Sequence, residues 1–243
     1  MTAAETPAQC ASDVSNLRGR TFRAALFDLD GTLVDSTPAV IRAWTSWAAA
    51  HGLEAPDLAH NHGRPAADLV ARMVPAEQVD AALVDFQARE LADVIDVVPL
   101  PGAVDLLAAA TAAGVAAVVT SGTRPLATAR LAAAGINSPA VTVTFDDVRQ
   151  GKPHPEPFLL AASRLGLESS DCLVIEDAPA GLTAAAGAGC ATLAVLGTHD
   201  REQLNQADAI VATLDEVAFL GVPGGFQVIP RINRPAAEDQ RQA

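Results

Sequence analysis

Asp28 and Asp30 stand two residues apart at the end of the apolar run Ala24-Ala25-Leu26-Phe27, and Glu176-Asp177 close a second run, Leu173-Val174-Ile175. Ending two apolar segments in carboxylates does nothing for stability alone, because like charges brought together raise one another's pKa unless a cation intervenes. Hard carboxylate oxygens with coordination sites to spare suit Mg²⁺, which keeps several waters and takes substrate phosphate oxygens as further ligands. Thr120-Ser121-Gly122 follow a third run, Val115 to Val119, and lead into a helix beginning near Pro125. Hydroxyls and backbone N–H groups in that setting suit an anion. Lys152, in the loop 151–155, adds a point charge. A carboxylate nucleophile, a carboxylic acid, Mg²⁺ and an anion cradle together make a phosphoryl-transfer site. Bland uses remain open for each part: acidic pairs occur at solvated turns, and Glu176-Asp177 can cap a helix entered at Pro179.

The elements that must position these groups follow from periodicity. Strands are expected at 24–27, 115–119, 140–144, 173–175, 192–196 and 209–211, separated by helices at 102–112, from about 125, at 156–165 and at 179–187. Strands alternating with helices predict a parallel sheet covered on both faces, a Rossmann-like three-layer α/β core. Ligands bind such sheets outside the carboxyl ends of the strands, where all four polar clusters fall. Residues 37–97 interrupt the alternation with helical patterns at 40–50, 65–74 and 76–92 and no convincing strand. The expected organisation is a tail at 1–21, a core at 22–36 and 98–230, a helical insert at 37–97, and a second tail at 231–243.

Composition narrows the partners. The chain has 243 residues with 16 basic and 29 acidic side chains, a formal charge of −13. That balance argues against DNA and anionic membranes as partners, which require basic surface. No run approaches the roughly 18 apolar residues of a membrane span. Cys10, Cys172 and Cys190 lack C-x-x-C spacing, and the last two adjoin strand-like segments, so they read as small buried hydrophobes. His60 and His62 lack a convergent third ligand and read as loop residues. Trp44 and Trp47, three apart on one helix, read as core of the insert. A cytoplasmic protein is expected, and a monomer and a homodimer both fit.

The segment Phe27-Asp28-Leu29-Asp30-Gly31-Thr32-Leu33-Val34-Asp35-Ser36 resembles the first motif of the haloacid dehalogenase superfamily. Val118-Val119-Thr120-Ser121-Gly122, Gly151-Lys152-Pro153 and Val174-Ile175-Glu176-Asp177 are similar to its remaining motifs, in the same order. The resemblance implies that Asp28 attacks phosphorus and that Asp30 protonates the leaving oxygen, then deprotonates the hydrolytic water. It also implies that Mg²⁺ is held by Asp28, the carbonyl of Asp30 and Asp177, with Glu176 helping directly or through water. Thr120 and Lys152 would hold the phosphoryl oxygens. The dehalogenase branch lacks the second aspartate, so Asp30 counts against carbon–halogen cleavage.

The insert resembles the cap of the branch containing sugar-phosphate phosphatases and β-phosphoglucomutase. His62-Gly63-Arg64, Thr120 to Arg124 and Lys152 to Pro157 together look like its glycerol-phosphatase and deoxysugar-phosphatase corner. The expected substrate is therefore a small phosphorylated polyol or sugar, with Arg64 contacting its polar end. β-Phosphoglucomutase carries a histidine where this chain has Val40, which disfavours the mutase alternative. A non-catalytic ligand-binding relative is the other alternative, opposed by the intact Asp28, Asp30, Thr120, Lys152 and Asp177.

Overall fold

A computed structural model describes residues 14–56, 65–113 and 115–231. Its centre is a six-stranded parallel sheet formed by β1 (Ala24–Phe27), β4 (Ala116–Val119), β5 (Val141–Val143), β6 (Cys172–Glu176), β7 (Ala191–Val195) and β8 (Ala209–Val211). The strand order is β5-β4-β1-β6-β7-β8. Every residue of β1, β4, β6 and β7 is buried, which is why these segments read as continuous apolar runs rather than alternating ones. The chain winds outward from β1 in both directions. The order therefore reverses there, and a crevice opens at the carboxyl ends of β4, β1 and β6.

Strand residues still alternate between two separate cores. Ala25, Phe27 and Ile175 face one cluster with Leu106 and Leu107 of α4 (Ala103–Ala112) and Leu131 of α5 (Arg124–Ala133). Ala24, Leu26 and Val174 face the other, with Phe158 and Ala161 of α6 (Glu156–Arg164) and Ala184 and Ala185 of α7 (Pro179–Gly187). Alanines on α6 and α7 let these helices lie close against the sheet.

Between β1 and α4 come α1 (Thr37–Ala50), α2 (Ala66–Met73) and α3 (Val79–Ala92), which share a core of their own. Trp44 packs on Phe86 at 3.9 Å between ring centroids, and Trp47 donates its indole N–H to the Ala82 carbonyl at 2.9 Å. Both tryptophans are core residues of this block, as their spacing suggested. A two-stranded antiparallel ribbon, β2 (Val34–Asp35) with β3 (Val98–Pro99), forms where the chain leaves and rejoins the sheet domain.

Two differences from the sequence reading stand out. The tail expected at 1–21 is anchored at its end: a short 3₁₀ turn at Ser15–Leu17 buries Val14 and Leu17 in the main core, while residues 1–13 lie outside the described residues. The last strand is also not at 209–211. An antiparallel hairpin follows, β9 (Val217–Val222) and β10 (Gly225–Pro230), turning through Pro223-Gly224. Phe22 and Phe226 exchange a reciprocal pair of backbone hydrogen bonds, each 2.8 Å. The Phe226 ring packs on Phe219 at 4.3 Å, and Phe219 reaches Phe27 at 6.3 Å. The hairpin thus closes the amino-terminal side of the main core. Phe226→Ala should lower the unfolding free energy by about 3–5 kcal/mol through the cavity it leaves. Urea denaturation with an unchanged far-ultraviolet dichroism spectrum at zero urea would show it.

Candidate active site

Asp28 follows β1 directly, its N–H bonded to the Ile175 carbonyl at 2.9 Å, so its carboxylate emerges between β4 and β6. Lys152 lies wholly buried beside it, its Nζ donating to Asp28 Oδ1 at 2.5 Å, Glu176 Oε1 at 2.7 Å and the Val119 carbonyl at 3.0 Å. One ammonium therefore ties the carboxyl ends of β1, β6 and β4. The Phe158 ring centroid lies 5.2 Å from Nζ, a further favourable contact for a desolvated cation. Burial lowers the pKa of Lys152, but Asp28 and Glu176 outweigh it and hold the group above its ordinary value, hence charged.

Glu176 has both oxygens engaged. Oε1 accepts from Lys152, and Oε2 accepts the backbone N–H groups of Asp177 and Ala178, each at 2.9 Å. Helix α7 has no side-chain cap among the described residues; Glu176 instead braces the turn that leads into it, besides its place in the charged cluster. Gly181 makes room for it, since a Cβ there would overlap the Glu176 carboxylate. Asp177 Oδ1 accepts from Thr32 Oγ1 at 3.2 Å, and Thr198 Oγ1 donates to Oδ2. Gly31 turns with φ +87°, and a Cβ on it would collide with Asp177 Oδ2. The loops after β1 and β6 approach so closely that only glycine serves.

Carboxylate oxygens of Asp28, Glu176 and Asp177 lie within 4.8 Å of one another, and all three residues are buried. Burial pushes the Asp28 carboxyl well above the usual range; Lys152 opposes this, while Glu176, Asp177 and Asp30 push it further up. Three carboxylates against one ammonium leave the cluster short of positive charge. Its donors are hard oxygens, which fits a divalent cation of the Mg²⁺ class.

Asp30 is directed differently. Its Oδ1 accepts from Ser36 Oγ at 2.7 Å and pairs with Arg130 Nη1 at 2.8 Å. Thr120, buried at the end of β4, bonds its N–H to the Val143 carbonyl at 2.9 Å, and its Oγ1 accepts the Gly122 N–H at 3.0 Å. Ser121 and Gly122 thus begin the turn into α5 beside Asp28. The structure brings together Asp28, Thr120, Lys152, Glu176 and Asp177. Arg64, with His60 and His62, lies outside the described residues. Arg124 is an exposed helix-start residue, bound to Asp147 and the Thr142 carbonyl. Cys172 and Cys190 are buried and free.

Several contributors escaped the sequence reading. Thr198 holds Asp177, and His199 Nδ1 lies 3.1 Å from the Asp177 carbonyl. They follow β7, whose carboxyl end lies on the same edge of the sheet, and topology was the one signal that could have found them. Arg130 and Glu90 carry no local marker at all.

Comparison with known proteins gives the family. Residues 22–189 match the haloacid dehalogenase-like hydrolases, and the chain belongs to that family. Hexitol phosphatase A of Escherichia coli is 41% identical over 210 residues, covering 84% of this chain and 97% of that protein. Glycerol-1-phosphate phosphohydrolase 2 of Saccharomyces cerevisiae is 34% identical over 225 residues, covering 82% of this chain and 85% of its own. A solved hydrolase from Pseudomonas syringae superposes with a TM-score of 0.71 at 28% identity, covering 79% of this chain and 94% of that one. Among the described residues no helix is long and apolar enough to cross a membrane.

Lys152→Arg tests the central geometry. A planar fork cannot reproduce three diverging N–H bonds from one nitrogen, so kcat should fall by about 10²-fold, comparable to losing one preorganised donor. Unchanged kinetics in a folded variant would contradict the role of the ammonium.

Proposed function

We propose that the protein hydrolyses the phosphate monoester of a small polyol or sugar, with Asp28 as nucleophile and Asp30 as acid and base. The observation that carries this reading is the Asp28 carboxylate, held by a buried lysine at the sheet's switch point beside Glu176 and Asp177. The named relatives, phosphatases of hexitol and glycerol phosphates, support the substrate class. Mg²⁺, held by Asp28, Asp177 and the Asp30 carbonyl with Glu176 nearby, would supply charge neutralisation between nucleophile and phosphoryl group.

The chain's own residues then divide the work. Asp28 attacks phosphorus while Asp30 gives its proton to the departing alcohol oxygen, leaving an aspartyl phosphate. Asp30, now ionised, takes a proton from water as that water attacks the same phosphorus. Phosphate leaves and the Asp28 carboxylate is restored. Thr120 and the 121–122 turn hold the phosphoryl oxygens as their charge redistributes, while Lys152 holds Asp28 in place beside them and adds its positive charge. Residues 37–97 act as a cap whose core of Trp44, Trp47 and Phe86 keeps it a rigid body over the site, and Arg64 on it reads the substrate's polar end. The buried free cysteines suit a reducing, cytoplasmic setting.

A phosphate-release screen over small phosphate esters should find polyol and sugar phosphates turned over with Mg²⁺ and not with a chelator. Release of inorganic phosphate without a bisphosphate primer separates this from a mutase. Asp28→Asn should abolish turnover in a protein of normal melting temperature, and wild-type-like phosphate release by that variant would overturn the mechanism.

A further inference from the structure

Arg130 sits in the middle of α5 and is 3% exposed. Its guanidinium joins two carboxylates from separate parts of the molecule. Nη1 lies 2.8 Å from Asp30 Oδ1, on the loop after β1, and Nη2 lies 3.2 Å from Glu90 Oε1, on α3 of the helical insert. The remaining nitrogen, Nε, is buried with no hydrogen-bond partner among the described residues.

Packing does not call for this arrangement. Leu126, Ala127 and Leu131 already supply the buried side of α5. A buried ion pair is commonly replaceable by apolar residues without loss of stability, and an unsatisfied buried N–H is a cost in itself. What the guanidinium does provide is direction. Its fork is rigid and planar, so fixing one edge on Glu90 fixes where the other presents itself to Asp30. Ser36 Oγ meets the same Asp30 oxygen at 2.7 Å, so two donors from different elements fix one oxygen and thereby orient the whole carboxylate.

We propose that Arg130 is a positioning residue: anchored on Glu90 of the insert, it sets the Asp30 carboxylate for proton exchange with the leaving oxygen, so the placement of α3 reaches the acid–base group. The proposal rests on Asp30 being that group. It predicts a defect in proton delivery rather than in phosphate binding or in general stability.

Leaving-group dependence separates these. An alkyl phosphate such as glycerol 1-phosphate must have its departing oxygen protonated, whereas p-nitrophenyl phosphate releases a stabilised phenolate without help. The rapid release of alcohol or phenol in the first turnover would be measured with both esters, in the Mg²⁺-loaded wild type, Asp30→Asn, Arg130→Met, Arg130→Lys and Glu90→Ala. Asp30→Asn should slow the alkyl ester by about 10²-fold or more, the scale of general acid catalysis. Arg130→Met and Arg130→Lys should slow it by about 10-fold or more, as expected for a displaced catalytic group, and leave the p-nitrophenyl ester nearly unaffected. Glu90→Ala should show the same selectivity, and it keeps the proposal testable if Arg130→Met does not fold. Equal losses on both esters in folded Arg130 and Glu90 variants, beside a selective loss in Asp30→Asn, would overturn the positioning role alone. Equal losses in Asp30→Asn itself would instead overturn the assignment of Asp30.

Discussion

The rest of the site depends on one buried ammonium. Lys152 donates to a carboxylate after β1, a carboxylate at the end of β6 and a carbonyl at the end of β4, so it links three adjacent strands at their carboxyl ends. Without it, Asp28, Glu176 and Asp177 would face one another with no cation, in surroundings that already favour the neutral forms of Asp28 and Glu176. With it, the carboxylate of Asp28 is fixed in place, and the charge of the ammonium favours the ionised state against the burial that pushes its pKa up. Phosphoryl transfer asks for that state, because a protonated carboxyl has no lone pair to offer at useful strength.

Geometry at the backbone follows from that charge. Glu176 can spare one oxygen for Lys152 because its other oxygen is satisfied by the first N–H groups of the turn into α7, and it fits there because position 181 is glycine. Asp177 comes within reach of the β1 loop because position 31 is glycine with positive φ. Two missing side chains therefore set the separation of the two acidic loops. The parallel sheet supplies the rest, since its order reverses at β1 and the helices on either side cannot cover that crevice.

How much of this the sequence disclosed follows the range of each interaction. Fully buried strands and the helices between them were legible because burial on both faces writes itself as an uninterrupted apolar run. Hairpin β9–β10 was not, because its residues are half-exposed and its strands pair with each other and with Phe22 rather than with the sheet. The Pro-Gly turn was a visible signal, but its flanks look like any chain end. Asp28, Thr120, Lys152, Glu176 and Asp177 were legible because each ends a strand, directly follows one or sits in a marked loop. Arg130, Glu90 and Thr198 were not: their partners are distant in sequence, and an arginine in mid-helix carries no mark of whether it meets water or a carboxylate.

The balance of cations can now be understood residue by residue. Only one of the 16 basic side chains is lysine, and the net charge of −13 looks ill matched to an anionic ester. Exposed charges beyond about 8 Å are largely screened at physiological salt, so the local arrangement decides. Arginines elsewhere span two carboxylates through separate edges of the guanidinium: Arg42 bridges Asp93 and Asp96, and Arg130 bridges Asp30 and Glu90. Those are tasks for a flat group with donors along its edges, and at Arg130 the third nitrogen, Nε, finds no partner among the described residues. At position 152 the acceptors surround a single point, and all three are met. A guanidinium set there would reach two and displace the third. Coding bias toward arginine can explain the other 15 cations, but the geometry of three strand ends converging on one atom explains the exception.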